Sequence, residues 1–358
     1  MRQKLPDFPW DALAPYGAIA KKHPQGAIDL SVGTPVDPTP EFIQKAFQEA
    51  ANSPSYPVTV GTPELREAIT AWAKKYLGAT GDFGVLPLIG SKEFVAWLPT
   101  FIEAQSVLYP DVAYPTYLVG SLLAESTATP VSLDATGWPQ ADMAWVNSPS
   151  NPTGRVHSEA EFKAAIDWSR KNKSVVVSDE CYLEFGDSVK PTSILNYTGG
   201  DNTNILAVHS LSKRSSMAGY RAAFIVGDPA LIARILEVRK HAGMMVPLPV
   251  QVAVVAALSD EEHVVQQRAR YNARRATLTP ALRAAGFTIE NSEAGLYIWA
   301  TRNENCWDSV SWLAELGIIA TPGVFYGDLG ASHIRIAMTA TDAQISEAAA
   351  RISSKVGA

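Results

Sequence analysis

Short apolar runs alternate with amphipathic stretches through the middle of the chain. Val85-Leu86-Pro87-Leu88-Ile89, Ser106-Val107-Leu108-Tyr109, Ala144-Trp145-Val146-Asn147, Val175-Val176-Val177-Ser178, the run from Ile205 to His209, and that from Ala222 to Val226 each read as a strand. Between several of them lie helical periods, such as Glu159 to Lys171 with Phe162, Ala165, Ile166 and Trp168 on one face. This alternation predicts an α/β fold with a mostly parallel central sheet covered on both faces. Ligands then belong at the carboxyl ends of the strands. A long helical region from Pro229 to Ala256 is interrupted at Pro247 and Pro249, which should break or kink it. The next helix, Glu261 to Ala285, carries Arg268, Arg270, Arg274 and Arg275 and reads as largely solvated. Beyond it, Phe287-Thr288-Ile289, Leu296-Tyr297-Ile298-Trp299 and Ile334-Arg335-Ile336-Ala337, with a helix between and another at the end, predict a small α+β unit. The patterns divide the chain into an N-terminal arm (1–35) packing on the small unit, a large domain (36–245) and a small C-terminal domain (246–358).

Composition narrows the classes. With 358 residues, 47% hydrophobic and 18% charged, the chain can bury one large core and a smaller one. A net charge of −6 argues against a broad nucleic-acid surface. No apolar run approaches ~20 residues, so no membrane span is expected. The opening Met1 to Trp10 is too polar and proline-rich for a signal core, so Cys181 and Cys306 are expected as reduced thiols in the cytoplasm. The six histidines are scattered and no cysteine pair has zinc spacing, so no metal is expected. Neither G-x-G-x-x-G nor G-x-x-x-x-G-K-[ST] occurs.

The candidate chemistry sits just after the strands. Lys213 ends Ser210-Leu211-Ser212-Lys213, and Arg221 follows eight residues later. A lysine flanked by hydroxyls, with an arginine close behind, can anchor a phosphorylated aldehyde, which points to pyridoxal phosphate. Asp179 ends another strand, where a carboxylate can hold a pyridinium N–H. Asn151, in Ser148-Pro149-Ser150-Asn151-Pro152-Thr153-Gly154, sits in a stiff turn and can bond the ring hydroxyl, helped by Tyr182. Gly90, Ser91 and Lys92 open a helix whose N–H groups can take phosphate. Tyr114 can stack on the ring, and Arg335, in an apolar strand, can hold a carboxylate bidentately. Each has a plainer use when taken singly. Asp179 can cap a turn, the asparagine stretch can be an ordinary loop, Tyr114 can be core, and Arg335 can pair with an internal carboxylate.

The order and spacing of these residues resemble fold-type I pyridoxal phosphate-dependent aminotransferases of the class I/II family, over essentially the whole chain. The resemblance implies that Lys213 carries the cofactor and moves the substrate α-proton, and that Asp179 pairs with the ring nitrogen. Asn151 and Tyr182 match the ring-hydroxyl ligands. Ser210, Ser212, Arg221 and the amides of Ser91 and Lys92 match the phosphate cup, and Tyr114 matches the stacking aromatic. Tyr56 resembles the tyrosine that reaches the phosphate of the neighbouring subunit, which implies a homodimer with shared sites. Arg335 matches the α-carboxylate arginine, and Gly33 the loop closing over it.

The stretches Leu5 to Asp11, Asp29 to Asp37, Gly90 to Glu93 and Lys240 to Pro247 resemble actinobacterial N-succinyldiaminopimelate aminotransferases of lysine biosynthesis. They imply reversible amino transfer between N-succinyl-LL-2,6-diaminopimelate and 2-oxoglutarate. Lys92 is the candidate for a distal carboxylate contact; a solvated lysine, or one neutralised by Glu93, is the alternative. Other readings on the same scaffold are an aminotransferase for aspartate, alanine, aromatic acids or LL-diaminopimelate, or a carbon–sulfur β-lyase. A non-catalytic binding protein is the reading from another class.

Overall fold

The computed structural model describes residues 5–356. An arm carries helix α1 (Ala14–Ala20) and the short strand β1 (Ile28–Asp29). Helices α2 (Glu41–Glu49) and α3 (Pro63–Trp72) follow. The large unit then runs β2 (Gly84–Ile89), α4 (Ser91–Phe101), β3 (Ser106–Pro110), α5 (Thr116–Leu123), β4 (Thr127–Val131), β5 (Met143–Asn147), α6 (Glu159–Asn172), β6 (Val175–Asp179), β7 (Ile205–Ser210), α7 (Leu211–Arg214), β8 (Ala222–Gly227) and α8 (Pro229–Ala242). Its seven-stranded sheet has the order β2-β8-β7-β6-β5-β3-β4. Strand β8 pairs antiparallel with both β2 and β7, and the remaining pairs are parallel. The strands of β5, β7 and β8 are buried along their whole length, as a sheet covered on both faces requires. Strand β4 was not legible as a strand; it lies at the sheet edge, where Pro130 is tolerated.

After α9 (Leu248–Ser259) and α10 (Glu262–Ala284) the chain forms β9 (Thr288–Glu290), β10 (Tyr297–Thr301), α11 (Cys306–Glu315), β11 (Ile318–Ile319), β12 (Thr321–Pro322), β13 (His333–Ala337) and α12 (Asp342–Val356). Strands β12-β13-β10-β9 form an antiparallel sheet, against which α10 and α12 pack with Tyr271, Leu278 and Ile345 in a shared core. The arm joins this core through Leu13, Ile28 and Leu30, and β1 pairs parallel with β11.

The boundary at 245 and the solvation of α10 differ from expectation. The boundary at 245 is too early, because α9 packs on α2 and α3, and its Val250, Ala253 and Val254 lie in the large-unit core. Gln251 fastens it there, donating to Val246 O and accepting from Thr62 N at 2.8 Å each. The long helical region is broken as its prolines predict: α8 stops at Gly243 (φ 69°), and Pro247 and Pro249 stand at the start of α9. Helix α10 is also less solvated than its arginines suggest. Arg274 is buried against Asp37 and Asp342, and Arg275 is buried against Asp187 and Gly295 O. Among the described residues, no helix is long and apolar enough to cross a membrane, and no group of three or more His, Cys, Asp or Glu is placed to hold a metal ion.

Candidate active site

The sheet topology gathers the residues. Parallel register sets Asn147 beside Asp179 at the carboxyl ends of β5 and β6, with Ser210 ending β7 next to them. Because β8 runs the other way, the residue before it lies at this same edge. That residue is Arg221, and Ile89 pairs with Ala222, so Arg221 meets Gly90 just beyond β2. A Cβ on Gly90 (φ 77°) would lie 2.2 Å from Arg221 Nη2, so glycine leaves the room that the guanidinium fills. Arg221 itself sits at φ 55°, a left-handed conformation that non-glycine residues rarely hold. Its Nη1 donates to Ala218 O at 2.9 Å. Helix α4 begins at Ser91 without a side-chain cap, which leaves its first N–H groups open to an anion. Ser210 Oγ accepts from Ser212 N at 3.1 Å. Open amides, two hydroxyls and one guanidinium are thus gathered at one edge of the sheet, a cradle suited to an anion.

Lys213 lies in the short helix α7 beside this cradle. Burial pushes its pKa down to about 8, aided by the charges of Arg221 and Arg335 and opposed by Cys181. Asp179 is buried, with Oδ2 accepting from Tyr117 Oη at 2.9 Å and Oδ1 from Cys181 N at 3.2 Å. Asn147 Nδ2 donates to Asp179 O at 2.9 Å, and its Oδ1 accepts from Asn151 N at 2.7 Å. The asparagine loop is therefore pinned to the aspartate strand. Burial raises the Tyr114 hydroxyl to about 12 and pushes Tyr182 well up, so both phenols stay protonated donors.

Arg335, on β13, is buried at the junction of three segments. Its Nη1 donates to Asn151 Oδ1 at 2.9 Å, its Nη2 donates to Ser31 O at 2.5 Å, and its Nε has no partner among the described residues. Since a guanidinium only donates, Asn151 presents its oxygen to Arg335 and keeps its NH2 free for another acceptor. The guanidinium lies 4.1 Å from the Tyr297 ring centre and 5.0 Å from that of Tyr326. Tyr297 Oη shares a 3.1 Å hydrogen bond with Tyr182 Oη, and a Cβ on Gly33 would come within 2.2 Å of that Tyr297 oxygen. Gly33 thus lets the arm close on the site.

Two expected residues stand apart. Tyr56 is 92% exposed, and within one chain it does not join the cluster. Lys92 is exposed, with Nζ 5.7 Å from the Phe8 ring centre. Glu93 does not neutralise it, because Arg239 Nη1 binds both Glu93 oxygens, at 3.0 and 3.1 Å. Sequence reasoning missed Tyr117, Tyr297, Tyr326 and Ser31. Only Tyr117 carried a usable signal, lying one helical turn after Tyr114.

A second array resembles a hydrolytic triad. Ser215 Oγ lies 2.8 Å from His263 Nε2, and His263 Nδ1 lies 2.6 Å from Asp260 Oδ1, beside a cavity of about 430 Å³. Ser215 is only 1% exposed, so no acyl group reaches it. The array ties α7 to α10, and the cavity contains neither Lys213 nor Asp179 nor Arg335.

The fold and this site define an aminotransferase. The chain belongs to the aminotransferase class I and II family, whose description matches residues 25–352. It is 50% identical to the 4-dedimethylamino-4-oxo-anhydrotetracycline transaminase of Streptomyces rimosus, over 98% of this chain and 99% of that one. It is 51% identical to a probable aminotransferase of Mycobacterium tuberculosis, over 97% of this chain and 85% of that one. It is 35% identical to an LL-diaminopimelate aminotransferase of Dehalococcoides mccartyi, over 93% of each. Among solved structures, a probable N-succinyldiaminopimelate aminotransferase from Thermus thermophilus matches with a TM-score of 0.87 at 26% identity, over 97% of this chain and 100% of that one. The family acts on amino and oxo acids with pyridoxal phosphate. The residues present fit that cofactor: an open phosphate cradle, a lysine amine of lowered pKa beside it and a buried carboxylate at the neighbouring strand end.

Proposed function

We propose that the chain transfers an amino group between N-succinyl-LL-2,6-diaminopimelate and 2-oxoglutarate, as one subunit of a cytoplasmic homodimer. The observation that carries this reading is a pair of cationic seats. Among the described residues, Arg335 keeps a free Nε at the buried end, and the exposed Lys92 is left without its neighbouring carboxylate. A long substrate with several carboxylates suits two such seats. The whole-length likeness to the Thermus protein supports it.

In this reading Lys213 holds the cofactor through its amine, and Asp179 keeps the ring nitrogen protonated. Asn151 Nδ2 and Tyr182 Oη donate to the ring hydroxyl, and Tyr114 lies against the ring. The amides of Ser91 and Lys92, with Ser210, Ser212, Arg221 and the partner subunit's Tyr56, hold the phosphate. The bound cofactor supplies an electron sink for the pair left when a proton departs from the substrate α-carbon. Arg335 and the Gly33 loop fix the α-carboxylate, so that the α-hydrogen faces Lys213. Lys213 Nζ, as an unprotonated amine, would take that proton as general base. Lowering its pKa from 10.5 to about 8 raises the free-amine fraction at pH 7 about 300-fold. Cofactor capture by the apo-protein is therefore expected to speed up as pH rises towards about 8 and to level off above it, in stopped-flow absorbance. A flat profile from pH 6 to 9 would count against the lysine as the capturing group.

The deciding experiment is a half-reaction panel followed by the cofactor's absorption. N-succinyl-LL-2,6-diaminopimelate, free LL-diaminopimelate, glutamate, aspartate and alanine are compared. N-succinyl-LL-2,6-diaminopimelate and glutamate are expected to react fastest; preference for free diaminopimelate would overturn the assignment. Lys92→Ala is expected to lower kcat/KM for the succinylated substrate about 10–100-fold, the worth of a hydrogen bond to a charged group, and to leave glutamate nearly unchanged. Equal losses for both would place Lys92 in phosphate binding or folding instead. A second reading rests on the 50% identity to the Streptomyces rimosus enzyme. In it the acceptor is a 4-oxo-anhydrotetracycline, and Phe8 and Trp10, with ring centres 5.6 Å apart, offer an aromatic surface beside Lys92. Adding that ketone to the panel separates the two readings, and turnover without any oxo acid would indicate a lyase.

A further inference from the structure

The hydroxyl of Tyr117 is the group on Asp179 that the roles above leave unused. Tyr114 and Tyr117 are three residues apart, and their rings meet edge to face at 5.9 Å. Tyr117 is fully buried and stacks on Trp145 at 5.0 Å and 24°, which fixes the ring. Its Oη donates to Asp179 Oδ2 at 2.9 Å, while Cys181 N donates to Oδ1 at 3.2 Å. A carboxylate offers roughly four lone-pair sites. One site on each oxygen is taken by a rigid donor, so the remaining ones have a set direction.

We propose that Tyr117 is a positioning residue: its hydroxyl fixes the orientation and the charge of the Asp179 carboxylate, and thereby the hold of Asp179 on the cofactor's ring nitrogen. This rests on the reading of Asp179 given above. Buried carboxylates drift towards the neutral form, which could not hold a pyridinium proton. Burial does push Asp179 up, and hydrogen bonds from Cys181 and Tyr117, with the nearby His209, draw it back. Tyr117 cannot lose its own proton near neutrality, because burial and the Asp179 charge both push it far up. The other titratable groups facing this carboxylate are Tyr114, the Cys181 thiol and Tyr182, and burial raises all three. His209 is itself paired, with Glu180 Oε2 at 3.1 Å. Tyr117 is therefore the side-chain hydroxyl that answers the aspartate directly.

If Tyr117 merely packed, phenylalanine would serve equally well. Wild type, Tyr117→Phe and Asp179→Asn are each loaded with pyridoxal phosphate and titrated from pH 5 to 10 by visible absorption. A less positive ring withdraws less charge from the nitrogen joining it to Lys213, so that nitrogen keeps its proton to higher pH. The absorption midpoint is expected to rise by about one pH unit in Tyr117→Phe and further in Asp179→Asn. Alongside it, kcat is expected to fall about tenfold with KM within about twofold. Tyr117→Phe keeps the ring on Trp145, and an unchanged tryptophan emission maximum shows that the packing survives. A Tyr117→Phe midpoint equal to wild type, with Asp179→Asn shifted, overturns the proposal and leaves Asp179 in its role. A midpoint unmoved in both removes the reading of Asp179, and the proposal with it.

Discussion

Lys213→Ala is expected to abolish amino transfer, by about 10⁴-fold or more in single-turnover experiments. General base catalysis alone contributes about 10²–10⁴-fold, and the same side chain also holds the cofactor covalently. No neighbour can substitute. Arg221 and Arg335 are guanidiniums that keep their protons, and burial keeps the Cys181 thiol protonated. Borohydride reduction of loaded wild type should fix a pyridoxyl group on Lys213, and peptide mapping of the variant should show none. Lys213→Arg restores charge without a usable base and is expected to be equally inactive. Turnover near the wild-type rate in either variant would refute the assignment.

Asp179→Ala is expected to cost about 10²–10³-fold in kcat, the range for losing one preorganised electrostatic partner in a dry site. Cofactor should remain bound, because the cradle and Lys213 are intact. Two buried donors, Tyr117 Oη and Cys181 N, lose their acceptor as well. Roughly 1–3 kcal/mol of stability should therefore be lost with them. Steady-state kinetics on the loaded variant, paired with its melting curve, separates the two effects. Wild-type turnover would mean that the ring nitrogen is held by another group.

Much of the site was legible because its residues follow strands. Asp179 and Ser210 end apolar runs that read as buried sheet, with Lys213 three residues further on, and ligands are expected at such strand ends. What stayed hidden depends on partners far away in the chain. Arg274 looked solvent-facing on its helix, yet it is satisfied by Asp37, 237 residues distant. Ser31 contributes a backbone oxygen, which leaves no trace in side-chain identity. The break at Pro247 and Pro249 is real, but the helix beyond it packs back on the large unit, so the domain limit lies later. Prolines also begin helices, and the apolar run Val250 to Leu258 does not itself say which of the two cores it joins. Tyr56 belongs to neither group, since its expected contact lies outside a single chain.

Arg335 is anchored at once by the arm, through Ser31, and by the large unit, through Asn151, while its own strand belongs to the small unit. In the proposed function, an acid arriving at this guanidinium lands on a keystone. Changes in the stretch around residue 31 or in the proline loop around residue 151 can reset how firmly the acid is gripped without touching the pocket wall. Selection for new substrates then has two remote dials to turn while the chemistry at the strand ends stays as it is.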